Sequence, residues 1–172
     1  QGFYLGEHGW FDKRFMYKES FRTPLLARWP GVIKPGRINE DMTQNLDFAQ
    51  TFLDIAEADQ PTDMQGISLK PLMQGKRPKD WRKSLYYHYY QYAAGRGHNV
   101  SRHEGVATKR YKLIHFYDHN EWELYDLKKD PSEMKNQYEN PKYASLVARL
   151  KEELLRLRQF YKVPENQPPE RK

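Results

Sequence analysis

The chain contains 172 residues, of which 38% are hydrophobic, 30% charged and 15% aromatic, with a formal net charge of +6. This length and composition predict one packed domain and exclude intrinsic disorder, which is poor in aromatic residues. The absence of cysteine excludes disulfides, thiolate nucleophiles and cysteine-based zinc sites. Lysine and arginine are interspersed with acidic residues and no long apolar run occurs, so we expect neither a nucleic-acid partner nor a membrane span.

The first part of the chain predicts the edge of an α/β layer. Residues 24–31 form a short apolar run bounded by proline and glycine, a pattern typical of a buried strand of a parallel sheet followed by a turn. Asp47 and Gln50 have the spacing of a capping box, and they predict a helix with an apolar face. That face consists of Ala49, Phe52, Leu53 and Ala56. Ser68–Met73 predicts a further turn of helix.

The second part of the chain predicts an antiparallel sheet and one helix. Four short segments rich in aromatic and β-branched residues are separated mostly by polar turns, which is the pattern of a meander. They are residues 84–92, 105–108, 111–117 and 122–127. Asn140 as N-cap and Pro141 as the first helical residue then begin an amphipathic helix, which we expect to cover one face of the sheet.

These elements predict three regions. Residues 1–78 would form the end of an α/β domain, residues 79–163 a subdomain with a sheet and a helix, and residues 164–172 a mobile tail.

Most of the candidate catalytic and binding residues lie in the first fourteen positions, among glycines that favour sharp turns. They are Gln1, Glu7, His8, Asp12, Lys13 and Arg14. Such a loop can surround an anion. From the residues alone, an alternative stays open in which Glu7 and Lys13 form a surface ion pair and His8 is a structural hydrogen-bonding residue.

The order of these residues resembles a known family. The stretch GFYLGEHGWFDKR at residues 2–14, followed by RTP at 22–24 and RWPG at 28–31, is similar to the C-terminal part of type I, formylglycine-dependent sulfatases. The similarity continues through NLDFA at 45–49 and ELYDL at 123–127. The glycan-sulfatase branch, in which arginine follows the lysine, is the most similar. Because the chain starts at Gln1 within this loop, the resemblance indicates a C-terminal fragment.

The resemblance implies the fold, the activity and the cofactor of a parent protein. The fold would be α/β, with the end of an alkaline phosphatase-like layer followed by a small antiparallel sheet and a packed helix. The parent would hydrolyse sulfate esters, on a sulfated carbohydrate or an aryl sulfate, with a formylglycine beside calcium. The formylglycine signature is absent, so the fragment would be inactive without the missing N-terminal catalytic portion. Such enzymes are periplasmic or secreted in bacteria and lysosomal or extracellular in eukaryotes.

The resemblance also implies roles for individual residues. Gln1 matches the second member of a calcium-binding pair, and a side-chain carbonyl suits that ion. Lys13 matches the lysine that contacts the sulfate, while His8 either assists the leaving group or braces the loop. Arg14 is a weaker candidate for substrate binding.

A second candidate group lies between two predicted strands, where similar enzymes contact the sugar. Its members are His98, Arg102 and His103. Cations and imidazoles there would suit an anionic glycan. The alternative for this group is an exposed loop without a role.

Two other functions stay open for the chain as a whole. It could be a non-catalytic structural or glycan-contacting module. It could also belong to a phosphoester hydrolase of the same superfamily, which would be distinguished by a nucleophile that this chain does not contain.

Overall fold

The structure is a computed structural model that describes residues 2–91 and 100–165. The described residues divide into two compact units. Residues up to Pro24 pack with those from Ser84 onward, and Leu25–Lys83 form the other unit. The sequence did not predict that the first residues fold with the C-terminal sheet. The region boundaries at residues 78 and 163 stay predictions for a longer parent protein.

A four-stranded antiparallel sheet is the centre of the first unit. Its strands lie in chain order and are β3 (Ser84–Tyr89), β4 (His103–Thr108), β5 (Tyr111–Phe116) and β6 (Glu121–Asp126). The predicted meander is therefore confirmed. Residues that alternate along a strand face opposite sides, so the sheet has two faces to cover.

The C-terminal helix covers one face of this sheet, as predicted. A 3-10 turn at Pro141–Tyr143 leads into α4 (Ala144–Phe160), and the Asn140 side chain accepts a hydrogen bond from the backbone N–H of Lys142 at 3.1 Å. The helix and the sheet share one cluster of buried apolar residues. It consists of Val106, Leu113, Leu124, Leu150, Leu154 and Leu157.

The N-terminal segment covers the opposite face of the sheet. It contains a short hairpin of β1 (Tyr4–Leu5) and β2 (Phe11–Asp12), followed by α1 (Lys18–Phe21). Met16 is completely buried and lies directly over Gly105, where an added Cβ would come 2.5 Å from the Met16 sulfur. Glycine at this position therefore permits the close approach. The remaining core residues on this face are mainly aromatic, namely Tyr4, Phe15, Tyr17, Phe116 and Tyr125.

The second unit contains α2 (Asp47–Ile55) and α3 (Lys70–Met73), and the helical turn predicted at 68–73 is confirmed. Asp47 begins α2 as its first helical residue. Its buried carboxylate pairs with Arg82 and accepts backbone N–H bonds from Gln44 and Ile67. The predicted capping box with Gln50 is therefore wrong, because the Asp47 carboxylate is used by other parts of the fold.

Two expectations for the second unit differ from the structure. Residues 24–31 form no strand, and the side chain of Leu26 is 94% exposed. A strand requires a neighbour for its backbone hydrogen bonds, and no described strand pairs with this segment. The predicted apolar face of α2 is also turned outward, since Phe52 is 68% exposed while Gln50 and Thr51 are buried.

A buried ion pair joins the N-terminal segment to the sheet. The Lys112 ammonium lies 2.5 Å from the Glu133 carboxylate, and both side chains are at most 3% exposed. Lys112 also donates to the Met16 carbonyl at 2.6 Å, while Glu133 accepts from the Lys18 backbone N–H at 2.6 Å. Burial lowers the pKa of Lys112, and the Glu133 charge opposes that shift. The two charges thus fix the backbone on both sides of Tyr17.

We predict that Lys112→Met lowers the free energy of unfolding by about 3–5 kcal/mol, because it leaves the Glu133 carboxylate buried without its counter-charge. Urea denaturation of the chain and the variant measures this difference. Lys128→Met, at an exposed lysine, is the matched control and should change stability by no more than about 0.5 kcal/mol. A loss at Lys112 as small as that of the control would contradict the assigned role of the pair.

Candidate functional site

The β1–β2 hairpin carries the candidate cations, and its turn depends on residues with positive φ. Gly6, His8 and Gly9 have φ values of 127°, 56° and 71°. The backbone N–H of Gly6 donates to the Trp10 carbonyl at 3.0 Å, which closes the turn. Glycine adopts such conformations readily, whereas a residue with a side chain is strained there. The two glycines therefore allow the backbone to form this tight turn.

Two cations meet one carboxylate at the end of this hairpin. The Lys13 ammonium lies 3.2 Å from Asp12 Oδ1, and the Arg14 guanidinium hydrogen-bonds Asp12 Oδ2. The bond from Arg14 is the main cause of a lowered pKa at Asp12, so this carboxyl stays ionised. Lys13 is 38% exposed at its side chain. The cluster therefore presents to solvent an ammonium group that is paired with Asp12.

The sheet holds the backbone of these cations. The Tyr87 hydroxyl, on β3, donates to the Arg14 carbonyl at 2.6 Å. Phe15 and Met16 follow directly in the chain and are buried in the aromatic core. The positions of Lys13 and Arg14 therefore depend on how the segment packs against the sheet, and not on the hairpin alone.

His8 is turned into the protein. Its ring stacks on Tyr17 with centroids 4.4 Å apart, and Nε2 lies 3.3 Å from a carboxylate oxygen of Glu19. Its side chain is only 9% exposed. Of the two roles considered for His8, this geometry favours bracing of the loop.

Arg102 and His103, for which we expect contacts with a sugar, both make contacts within the fold. The Arg102 guanidinium makes several hydrogen bonds to Asp118, including two of 3.1 Å from Nε, and its side chain is 11% exposed. His103 is fully buried, donates from Nδ1 to the Ser101 carbonyl at 2.8 Å and stacks on Phe15. In the described structure, both side chains therefore contact other residues of the protein. His98 and Gln1 lie outside the described residues.

The described residues do not by themselves form a cation site. No group of three or more histidine and acidic side chains in residues 2–91 and 100–165 is arranged to hold a metal ion. Calcium requires six to eight oxygen ligands, so the residues described here do not fit that ion alone. No helix in the same ranges is long and apolar enough to cross a membrane.

An open cavity lies beside the hairpin, and the sequence did not predict it. Its volume is about 240 Å³. Four of its lining residues are aromatic, namely Trp10, Phe15, Tyr17 and Phe116, and four are polar, namely Ser101, His119, Glu121 and Glu123. These side chains come from the N-terminal segment, the residues before β4, the end of β5, the β5–β6 turn and β6. Their proximity arises from long-range packing, which no local pattern reveals.

The polar side of this cavity is built around Glu123. Its carboxylate accepts a hydrogen bond from the Tyr17 hydroxyl at 2.8 Å, and burial raises its pKa. Ser101 Oγ lies 2.8 Å from His119 Nε2 on another part of the rim. The cavity thus combines aromatic surfaces with hydrogen-bonding groups.

A family model described as "N-sulphoglucosamine sulphohydrolase, C-terminal" matches residues 6–160. The chain belongs to this family. Its fold accordingly corresponds to the C-terminal domain of sulfatases of the alkaline phosphatase-like superfamily, as the resemblance in the sequence implied. Sulfatases are sulfuric ester hydrolases, and this superfamily implies a metal cofactor.

Individual relatives agree with this assignment. An N-acetylglucosamine-6-O-sulfatase of Bacteroides thetaiotaomicron is 51% identical over 99% of this chain and 30% of its own length. A solved structure in complex with its substrate D-glucosamine-2-N,6-O-disulfate has a TM-score of 0.91 at 50% identity, over 96% of this chain and 34% of that one. A phosphonate monoester hydrolase from Silicibacter pomeroyi has a TM-score of 0.76 at 28% identity, over 88% and 31%. The chain thus spans about a third of the length of each.

The buried histidines predict how stability depends on pH. Burial lowers the pKa of His103 from 6.5 to about 4, so the unfolded chain binds a proton more readily than the folded one. The contribution of His103 to the free energy of unfolding is therefore complete above pH 6.5 and decreases as the pH falls towards 4. We expect His103 to contribute a loss of about 2 kcal/mol between pH 7 and pH 5, measured by urea denaturation.

His103→Phe keeps an aromatic ring in the same stack and removes the titrating group. The variant should therefore lose less stability on acidification than the native chain. Part of the acid sensitivity should persist, because burial also lowers the pKa of His88 to about 4. Parallel stability curves for the two proteins between pH 7 and pH 5 would disprove the contribution of His103.

Proposed function

We propose that this chain is the C-terminal part of a sulfatase that hydrolyses a sulfate ester on a sulfated glycan. The observation that carries the proposal is the pairing of Lys13 and Arg14 with one carboxylate at the end of the hairpin, in a chain of a sulfatase family. The relative with 51% identity is named for sulfate at the 6-position of N-acetylglucosamine, and a 6-O-sulfated glucosamine derivative is the substrate class that we infer.

Lys13 is the residue that we assign to the reacting sulfate. Negative charge grows on the sulfuryl oxygens and on the leaving oxygen as the ester bond breaks. A positioned ammonium group lowers the energy of that charge because its orientation is fixed before the reaction. Asp12 supports this role, since its carboxylate holds both cations near one point. Arg14 is assigned to the same anion, with its backbone held by Tyr87.

We assign His8 to positioning of the hairpin and not to proton transfer. Its stacking on Tyr17 and its contact with Glu19 link the turn to the segment that follows the cations. For the metal, calcium stays our proposal for the parent protein. The Gln1 carbonyl would supply one ligand and residues outside this chain would supply the others.

A second candidate function is the hydrolysis of phosphonate or phosphate esters. The specific observation in its favour is the similarity to the phosphonate monoester hydrolase, with a TM-score of 0.76. The same cations would stabilise a phosphoryl group. The higher identity to sulfatases favours sulfate, and assays of the full-length parent with matched aryl sulfate and aryl phosphonate substrates distinguish the two.

We predict that Lys13→Ala in the full-length parent lowers kcat for a sulfate ester at least 100-fold, since one such contact typically contributes about 2.7–4 kcal/mol to the transition state. Steady-state kinetics with 4-nitrophenyl sulfate measure the change. Lys18→Ala, at an exposed lysine five residues further on, is the control and should retain kcat within about twofold. Equal kcat values for the parent and the folded Lys13→Ala variant would remove Lys13 from the site.

We also predict that the 172-residue chain alone hydrolyses no sulfate ester. It lacks the formylglycine precursor, and groups that stabilise a transition state retain little of the rate without the covalent nucleophile. The assay is release of nitrophenol by the purified chain. Turnover that persists through repeated purification, and disappears in the Lys13→Ala chain, would overturn this prediction.

A further inference from the structure

The cavity beside the hairpin has a lining that differs in charge from the Lys13 cluster. Its rim contains two carboxylates, Glu121 and Glu123, which are two residues apart on β6 and so lie on the same face of the sheet. The cations of the site, in contrast, converge on Asp12. A ligand group in the cavity therefore meets negative charge, whereas the reacting sulfate meets positive charge.

Aromatic rings form the other side of the cavity. Trp10 is 40% exposed, and its ring packs on Phe15 with centroids 4.6 Å apart. Phe15, Tyr17 and Phe116 are each at most 8% exposed and form the floor. The apolar face of a sugar ring packs well against such a partly exposed indole, while its hydroxyl groups need hydrogen-bond acceptors at the edge.

The carboxylates supply those acceptors. Glu121 is exposed and Glu123 is held in place by the Tyr17 hydroxyl. A carboxylate accepts strongly from hydroxyl or ammonium groups and repels sulfate and carboxylate groups. The volume of about 240 Å³ lies below the roughly 300–1,000 Å³ of clefts for drug-sized ligands, so the ligand to consider is a small one, of the size of a single sugar unit.

The alternative of a metal site does not fit this lining. Although Glu121, Glu123 and His119 all border the cavity, no metal-binding group of three such side chains exists among the described residues. His119 also has a partner for Nε2 in the Ser101 hydroxyl. Hydrogen bonding to hydroxyl groups is thus the chemistry that these side chains support.

We propose that this cavity is a subsite for an uncharged or cationic sugar unit, which stacks on Trp10 and donates hydroxyl hydrogen bonds to Glu121 and Glu123. The proposal rests on the proposed function, because it assigns this unit to the same glycan as the sulfate-bearing group at Lys13. Glu121 then determines specificity, since it excludes a sugar that carries a negative charge at this position.

The test is direct binding of two monosaccharides to the full-length parent, measured by saturation-transfer NMR and titration calorimetry. N-acetylglucosamine is the neutral probe and glucuronate the anionic one. We expect N-acetylglucosamine to bind with a millimolar Kd and glucuronate at least tenfold more weakly. Trp10→Ala should weaken the binding of N-acetylglucosamine at least tenfold.

A second variant tests whether Glu121 excludes negatively charged sugars. Glu121→Gln replaces an exposed carboxylate by an amide of the same size and should bring the two Kd values within about threefold of each other. Glu139→Gln, at an exposed glutamate away from the cavity, is the matched control and should leave both Kd values unchanged.

Several results would overturn the subsite. They are no binding of N-acetylglucosamine at millimolar concentrations, equal binding of both sugars by the parent, and unchanged selectivity in Glu121→Gln. Unchanged binding of N-acetylglucosamine by a folded Trp10→Ala variant would also overturn it, because the sugar would then bind as a product at the Lys13 site and not in the cavity. If Trp10→Ala does not fold, the Kd values of the two sugars for Glu121→Gln still test the subsite. A parent that binds N-acetylglucosamine selectively but hydrolyses no sulfate ester would refute the proposed function and leave the subsite in place.

Discussion

The ion pair between Lys112 and Glu133 is the constraint on which the placement of the N-terminal segment, and with it the candidate site, depends. Two opposite charges lie almost completely buried, and each also bonds the backbone of the N-terminal segment, at Met16 and at Lys18. An unpaired charge in such a place costs several kcal/mol, so the segment can cover this part of the sheet only with both charges paired. The hairpin with the cations directly precedes this fixed point in the chain.

The sequence predicted the sheet and the C-terminal helix because both are specified by local patterns. Alternating residues, polar turns and the Asn140–Pro141 start are visible within a few positions. The buried pair is different. A lysine in a strand, such as Lys112, is normally expected to face solvent. Its partners Glu133 and Met16 lie 21 and 96 positions away in the sequence. Only long-range packing determines that this lysine is buried.

The same distinction explains the errors in the second unit. Residues 24–31 and the apolar side of α2 carry patterns of burial, yet Leu26 and Phe52 are largely exposed. A periodic apolar pattern states that a face needs a partner but does not identify the partner. The chain spans about 30% of the length of the relative with 51% identity. Described residues thus supply neither a neighbouring strand for 24–31 nor a cover for Phe52.

At the candidate site, the residue types indicated which side chains could bind an anion. They did not indicate which of these side chains other residues of the protein already bind. Arg102 and His103 have the chemistry for an anionic glycan, but Asp118 holds the first and an aromatic stack buries the second. Lys13 and Arg14 share the Asp12 carboxylate, and the Lys13 side chain is 38% exposed. Since Tyr87 and Lys112 fix the backbone that follows, a change in the sheet reaches Lys13 through Arg14–Met16. The placement of the Lys13–Arg14 cluster therefore depends on the packing of this segment against the sheet.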